Sequence, residues 1–241
     1  MQLAPGVHAI GEGVVNCYLV EEAGRITVVD AGLPGLWSDL QRELASMGRS
    51  KSDIAGLVLT HSDSDHVGFA ERLRSETGAP VFAHESEAAH ARGEAKGKNP
   101  GMGPVRPLPM LRFLLWGMRH GGLRVIPIRD VQSLQGGEML DLPGSPRILH
   151  VPGHSTGSVA IHAPSVDAVF VGDALTTLAV TTGLRGPRIA PFTADPATAL
   201  QSLDRIEQTG ARWVLPGHGE PWQGGAAEAV RRARAIASAA A

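Results

Sequence analysis

The sequence predicts an α/β (α+β) chain built as a four-layer αββα sandwich, two β-sheets face to face with helices outside. Three observations lead there. Short β-favouring runs come in two series along the chain, and each series is followed by segments of helical periodicity. The 30 glycines and 17 prolines among 241 residues supply the many turns such a fold requires. No shift in composition marks a boundary, so residues 1–241 are expected to form one domain.

The elements follow in order. Residues 7–10 and 14–20 are apolar strands split by the turn signal Gly11-Glu12-Gly13. A third strand, 25–30, ends in Val29-Asp30-Ala31-Gly32. Leu36, Leu40, Leu44 and Met47 share one helical face, predicting a helix over 36–47. Residues 57–60 are a short buried-type strand, 69–77 a helix and 80–83 the next strand. The rhythm breaks over 84–122. Residues 93–109 are rich in Gly, Pro and Lys, and 110–118 (Met-Leu-Arg-Phe-Leu-Leu-Trp-Gly-Met) are strongly apolar. Two readings stand for this part: an inserted lid of loop and short helix over the site, or a plain core helix. Met, Phe and Trp suit a substrate wall or a subunit interface, so a homodimer through this segment is a candidate.

Strands resume at 125–128, 131–134, 138–142, 147–151, 158–162 and 168–171. Asp195 as N-cap and Pro196 as first helical residue open a helix over 198–208. Residues 213–215 form a last strand and 226–237 a closing helix.

Bulk properties exclude several classes. The net charge of −2 does not point to nucleic acid or to an anionic membrane, though it leaves a local basic groove open. No run of about 18 apolar residues occurs, so no spanning segment is expected. Cys17 is the single cysteine, which rules out an intrachain disulfide and a cysteine-based zinc site. The opening residues carry neither a charged nor an apolar signal region, so the expectation is a cytoplasmic protein acting on a small molecule, with no nucleic-acid or membrane partner.

The chemistry concentrates in His61-Ser62-Asp63-Ser64-Asp65-His66, directly after a strand. Ser and Asp are common in polar turns and Asp caps helices, but two His and two Asp in six residues exceed what capping needs. Imidazole and carboxylate are ligands for zinc, iron and manganese. An extended loop would send 61, 63 and 65 one way and 66 the other. Three later sites repeat one design, a strand followed by glycine and a ligand-type residue: Pro152-Gly153-His154, Val171-Gly172-Asp173 and Pro216-Gly217-His218. Glycine lets the backbone turn sharply and lets an ion approach.

These motifs resemble the metallo-β-lactamase superfamily: a strand ending in Asp, then Thr-His-x-His-x-Asp-His, Gly-His, Gly-Asp and Gly-His. The match runs through Asp30, 60–66, His154, Asp173 and His218, nearly the whole chain. The resemblance implies a metallo-hydrolase with two divalent ions, zinc in first place. His61, Asp63 and His154 would hold one ion, and Asp65, His66 and His218 the other. Asp173 would bridge them, and Asp30 would orient the loop through hydrogen bonds. A bridging hydroxide would attack an ester, lactone or thioester, with Asp65 and Asp173 as the catalytic carboxylates.

The sequence departs from the family pattern at Asp63, where the second histidine is usual. Three readings remain: a carboxylate ligand, which tilts the site toward iron or manganese; a side chain too short to reach, leaving one ion; or a degenerate, non-catalytic site. Function classes beside the hydrolase are a di-iron oxidoreductase of flavodiiron type and a phosphodiesterase. Quorum-quenching lactonases of the superfamily often carry a tyrosine after the bridging Asp, whereas here Thr176 and Thr177 follow and Tyr18 is the only tyrosine. The remaining histidines, His8, His84, His90, His120, His150 and His162, match no ligand position; His84 and His90 fall in the lid region. Arg185 and Arg188 are read as part of a flexible stretch.

Overall fold

The computed structural model describes residues 1–97, 103–124 and 126–240. Its first half is one mixed sheet. The strands β1 (Gln2–Ala4), β2 (Val7–Ile10), β3 (Cys17–Glu22), β4 (Arg25–Val29), β5 (Ile54–Val58), β6 (Val81–His84) and β7 (Gln132–Leu134) lie side by side in sequence order. The first four pair antiparallel; from β4 onward the pairing is parallel, because α1 (Trp37–Ser46), α2 (Ala70–Thr77) and α3 (Glu85–Ala91) supply crossovers. The helix α4 (Pro107–Arg119) follows α3.

The second half gives β8 (Arg147–His150), β9 (Val159–Ala163), β10 (Ala168–Gly172), β11 (Thr176–Ala179), β12 (Leu184–Arg188), α5 (Pro196–Glu207), β13 (Trp213–Pro216) and α6 (Ala226–Ala240). Here β13, β10, β9 and β8 form the second sheet, and β11 and β12 a separate hairpin.

Three apolar clusters show the four layers. Strand alternation sends Cys17 and Leu19 of β3 toward α1 and α2, and Tyr18 and Val20 into the space between the sheets. In the second sheet, Val169 and Val171 of β10 face α5 and α6, while Ala168 and Phe170 face the first sheet. Tyr18 and Phe170 meet there with ring centroids 5.3 Å apart. The chain is thus the four-layer sandwich its pattern predicts. Asp195 caps α5 by accepting from the Thr198 amide at 3.0 Å, as its sequence signal implies.

Several expected elements differ. Val125, expected to open a strand over 125–128, lies outside the described residues. The rest of that segment is irregular: Pro127 cannot donate to a ladder, and the Ile128 amide turns to the Ala91 carbonyl. Over 138–142 only the isolated bridge Met139–Arg147 forms, although Leu140 and Leu142 do pack between the sheets. The alternation there reflects burial without a ladder. The strand expected at 14–20 begins at Cys17, because the Asn16 amide is donated to the Gly217 carbonyl. The stretch holding Arg185 and Arg188, read as flexible, is β12 of the β11–β12 hairpin. The short helix α3 was not expected. The apolar segment 110–118 belongs to α4, which has no fully buried residue, so the core-helix reading is excluded. Part of the 93–109 stretch, residues 98–102, lies outside the described residues. Among those described, no helix is long and apolar enough to cross a membrane.

Candidate metal centre

The site forms where strand ends from both sheets meet. Asp30 follows β4, Thr60–His66 follow β5, Asp173 follows β10 and His218 follows β13; His154 comes from the β8–β9 connection. Three overlapping groups of ligand atoms lie within 4.8 Å of one another: His61, Asp63 and His154; Asp65, His66 and His218; and His61, His66 and Asp173. All seven residues expected from the sequence are therefore brought together. The loop is not extended, since the His66 amide turns back to the Asp63 carbonyl at 2.9 Å. That turn puts Asp65 with His66, and leaves Asp63 with His61.

Each imidazole is held by its Nδ1, which leaves Nε2 free to face the centre. His61 Nδ1 meets Thr60 Oγ1 at 3.0 Å, His66 Nδ1 meets Asp30 Oδ2 at 2.9 Å, and His154 Nδ1 meets Thr193 Oγ1 at 3.4 Å. His218 Nδ1 is within hydrogen-bond reach of the Val14 carbonyl. On the inner side, Asp63 Oδ2 lies 3.3 Å from His154 Nε2 and 3.6 Å from His61 Nε2. Asp173 reaches three histidines: His66 at 3.6 Å through Oδ1, and His218 at 3.3 Å and His154 at 3.7 Å through Oδ2. Asp65 is 3.5 Å from His218.

Three buried polar atoms at this centre have no hydrogen-bond partner: His61 Nε2, His66 Nε2 and Asp173 Oδ1. Such atoms are costly to bury unpaired, about 1–3 kcal/mol each. Their convergence fits a bound cation, which would engage all three. Without one, the charges answer each other. Burial opposes ionisation of the His66 imidazole, but the Asp30 carboxylate with Asp173 and Asp65 pushes it up to about 9. His218 is likewise opposed by burial and pushed up to about 9, chiefly by Asp173. Burial disfavours the Asp63 and Asp173 carboxylates, yet the surrounding histidines hold both well below the usual carboxylate range.

Two groups hold the floor in place. Asp30 has a positive φ of 59°, and accepts from the Thr60 amide at 2.7 Å and the Thr60 hydroxyl at 2.8 Å as well as facing His66. Glu87 of α3 is the residue that sequence reasoning missed. Its buried carboxylate accepts from the Ser62 amide at 3.0 Å and the Ser62 hydroxyl, and from Ser155 Oγ at 2.7 Å and the Gly157 amide at 3.2 Å. It thus ties the His61 loop to the His154 loop. Two glycines are needed for space. A Cβ on Gly217 would stand 2.5 Å from His66 Cε1 and 2.6 Å from Asp173 Oδ1, and one on Gly172 2.3 Å from Thr60 Oγ1.

The centre floors a cleft of about 470 Å³ whose walls include Leu33, Phe113, Leu114, Met118, Val180 and Phe192. Phe113 stands edge-on to His218, with centroids 6.1 Å apart. Phe192 has φ +60°, a strained conformation for a bulky side chain, and it too faces the cleft. Nothing in its local sequence signals this. Of the other histidines, His90 reaches the cleft, with Nδ1 2.8 Å from Ser62 Oγ. His84 stacks on His150 instead. Arg185 and Arg188 do not line the cleft. The Thr176 and Thr177 hydroxyls are donated to the His218 and Glu220 carbonyls at 2.7 Å each, and the Tyr18 hydroxyl to the Pro216 carbonyl at 2.7 Å. None of these three residues lines the cleft.

The comparisons agree with this geometry. The profile of the metallo-β-lactamase superfamily matches residues 10–218, and the chain belongs to that superfamily. It is 25% identical over 241 residues to the probable metallo-hydrolase YflN of Bacillus subtilis, covering 92% of this chain and 87% of that one. It is 30% identical to YobT of the same organism, a match spanning 66% of this chain and 61% of YobT. The human acyl-coenzyme A thioesterase MBLAC2 is 28% identical, with 84% and 72% covered. Among solved structures, the metallo-β-lactamase family protein TTHA1429 from Thermus thermophilus superposes with a TM-score of 0.72 at 25% identity, over 99% of this chain and 81% of that one. TTHA1623, solved in a di-iron-bound form, superposes at 0.59 with 27% identity, over 90% and 93%.

Proposed function

We propose that this chain is a metal-dependent hydrolase that cleaves an ester, thioester or lactone joined to an apolar body. The observation that carries the reading is the convergence of four imidazole Nε2 atoms and three carboxylates, three of their buried atoms unpaired, at the floor of an apolar-walled cleft. His61, Asp63 and His154 would hold one divalent ion, and Asp65, His66 and His218 a second, with Asp173 between them. Such a pair supplies a water that ionises near neutral pH and a Lewis acid for the carbonyl oxygen.

The chain's own residues do the rest. Asp65, whose side chain is 20% exposed and lines the cleft, orients the attacking water and carries a proton to the leaving group. Asp173, 8% exposed, keeps the two sets of donors at a fixed separation. Asp30 and Glu87 fix the loops, so the donors do not reorganise during reaction. Phe113 and Phe192 narrow the approach and shed water from the reacting carbonyl. The thioesterase named among the relatives supports an acyl substrate. Asp63 places a carboxylate where the family pattern has imidazole, which tilts the preference from zinc toward iron or manganese; the relative with two irons supports that second metal reading.

The test is elemental analysis of purified protein, followed by an activity panel of esters, thioesters, lactones and phosphodiesters with Zn²⁺, Mn²⁺ or Fe²⁺. Acyl hydrolysis that disappears in Asp173→Ala is the expected result. Turnover confined to phosphodiesters, or full activity in Asp173→Ala, would overturn it.

A further inference from the structure

The helix α4 has two dissimilar long faces. On one, Phe113 and Trp116 pack onto the core beneath, and Trp116 Nε1 donates to Glu12 Oε2 at 3.2 Å. Its ends are held by the Arg106 amide on the Thr181 carbonyl and by the Gly35 amide on the His120 carbonyl, both at 2.9 Å. On the other face, Leu108, Leu111, Leu115 and Met118 fall at helical spacing and are 50–57% exposed; Leu114 beside them is 48% exposed, and Leu123 just beyond is 84% exposed. Leu114, Met118 and Leu123 line the cleft and have a use there. Leu108, Leu111 and Leu115 do not, and nothing among the described residues buries them.

Charge decides what does. Every charged residue between Glu94 and Asp130 is a lysine or an arginine, in a chain whose net charge is −2. Arg112 and Arg119, two turns apart, are exposed and border the leucine stripe on the flank away from the cleft mouth. Arg106 and Arg124 stand exposed at its two ends. A two-fold contact between copies of α4 would set these arginines against their own counterparts, so the same chain is a poor occupant. A leucine stripe rimmed by unshared positive charge suits a surface that is apolar inside and anionic outside.

We propose that the outer face of α4 docks on an anionic lipid bilayer, lying in the interface with Leu108, Leu111 and Leu115 in the acyl region and Arg112 and Arg119 among the headgroups. The mouth of the cleft, along the Leu114–Met118 edge of the same helix, then opens beside the lipid surface. The balanced net charge of the whole chain conceals this patch, which is why the bulk numbers argue for no membrane partner. The docking does not depend on the identity of the reaction.

Flotation of the full-length, metal-loaded protein with vesicles tests it. Vesicles of phosphatidylcholine and phosphatidylglycerol in equal parts are compared with pure phosphatidylcholine, at low and high salt. The expected result is binding to the anionic vesicles alone, weakened by salt. Arg112→Gln with Arg119→Gln should lower partitioning about fivefold per arginine. Leu111→Ser with Leu115→Ser should lower it at least as much, with circular dichroism and metal content unchanged because these side chains are exposed. Absence of binding to anionic vesicles at low salt would overturn the proposal, as would binding that neither double variant alters. A solution dimer that Leu111→Ser with Leu115→Ser converts to monomer would also overturn it, by assigning the face to a second copy.

Discussion

The floor and the roof of the cleft are built on opposite principles. On the floor, Asp63 and Asp65 open to the cleft, but the other functional groups are buried and the loops are held by named partners: His66 by Asp30, Ser62 and Ser155 by Glu87, His218 by Val14. On the roof, α4 offers large apolar side chains that are half exposed, and of its side chains Phe113 and Trp116 pack on the core. The floor tolerates no change of shape, because a buried charge that loses its partner is destabilising by several kcal/mol. The roof tolerates much, because apolar contacts are non-directional and replaceable. A floor variant should therefore fail as a fold or as a metal site, whereas a roof variant should change only what binds.

The largest effect is expected at Asp30. Asp30→Ala leaves the Thr60 amide, the Thr60 hydroxyl and His66 Nδ1 without their shared acceptor in a buried position. A loss of about 3–5 kcal/mol is expected, with loss of bound metal. Urea unfolding and metal analysis would measure both. Unchanged stability would mean that the loop is held elsewhere and that the floor is less rigid than its hydrogen bonds imply.

Glu87→Gln comes next. The amide retains the size but directs a donor toward groups that already donate, namely the Ser62 and Gly157 amides and the Ser155 hydroxyl. The expected cost is about 1–3 kcal/mol. Metal affinity should fall with it, since the His61 and His154 loops lose their tie. Restoration by Glu87→Asp of metal affinity but not of full stability would show a positioning role for the carboxylate itself. Equal metal affinity in wild type and Glu87→Gln would show that the tie does not matter to the centre.

The same contrast explains what the sequence made legible. The floor's ligands were readable because four crowd into six residues after a strand, and His154, Asp173 and His218 each follow a strand end and a glycine that clears space. Gly217 illustrates this, since any Cβ there would strike His66 and Asp173. Both sheets were readable because burial on two sides gives runs such as 168–171. Glu87 was not, because a Glu in a short Ala-rich helix looks like any solvated residue until the fold turns it inward. Phe192 was not, because backbone strain has no local sequence signature. The strand expected over 138–142 shows the converse error, alternation produced by packing between sheets where a few backbone hydrogen bonds to 146–148 make one bridge and no continuous ladder.

pH separates the metal-free floor from the loaded one. The His66 and His218 imidazoles are pushed up to about 9 from an ordinary value near 6.5. Their charged forms therefore stabilise the metal-free fold fully below about pH 6.5, and that contribution is lost as pH rises toward 9. Asp63 and Asp173 shift downward, so their contribution is present above the ordinary carboxylate range and is lost only in acid. Thermal unfolding of the metal-free protein should show a maximum between about pH 4 and 6.5 and a decline by pH 9. Metal binding must displace the imidazole protons, so affinity should rise over the same interval in which metal-free stability falls. Calorimetry in buffers of different ionisation enthalpy would count the protons released. Affinity independent of pH between 6 and 9 would mean that these two rings are not ligands.

The smallest effect is expected on the roof. Leu114 lines the cleft but is 48% exposed, so its truncation leaves no closed cavity and unpairs no polar group. Leu114→Ala should leave stability within about 0.5 kcal/mol and metal content unchanged. Its effect should fall on substrate: a rise in KM of a few fold for acyl substrates with long apolar bodies, near none for short ones, and little change in kcat. That pattern would place Leu114 against the part of the substrate that does not react. A fall in kcat with KM unmoved would instead tie α4 to the reacting carbonyl, and the roof would then share the floor's intolerance of change.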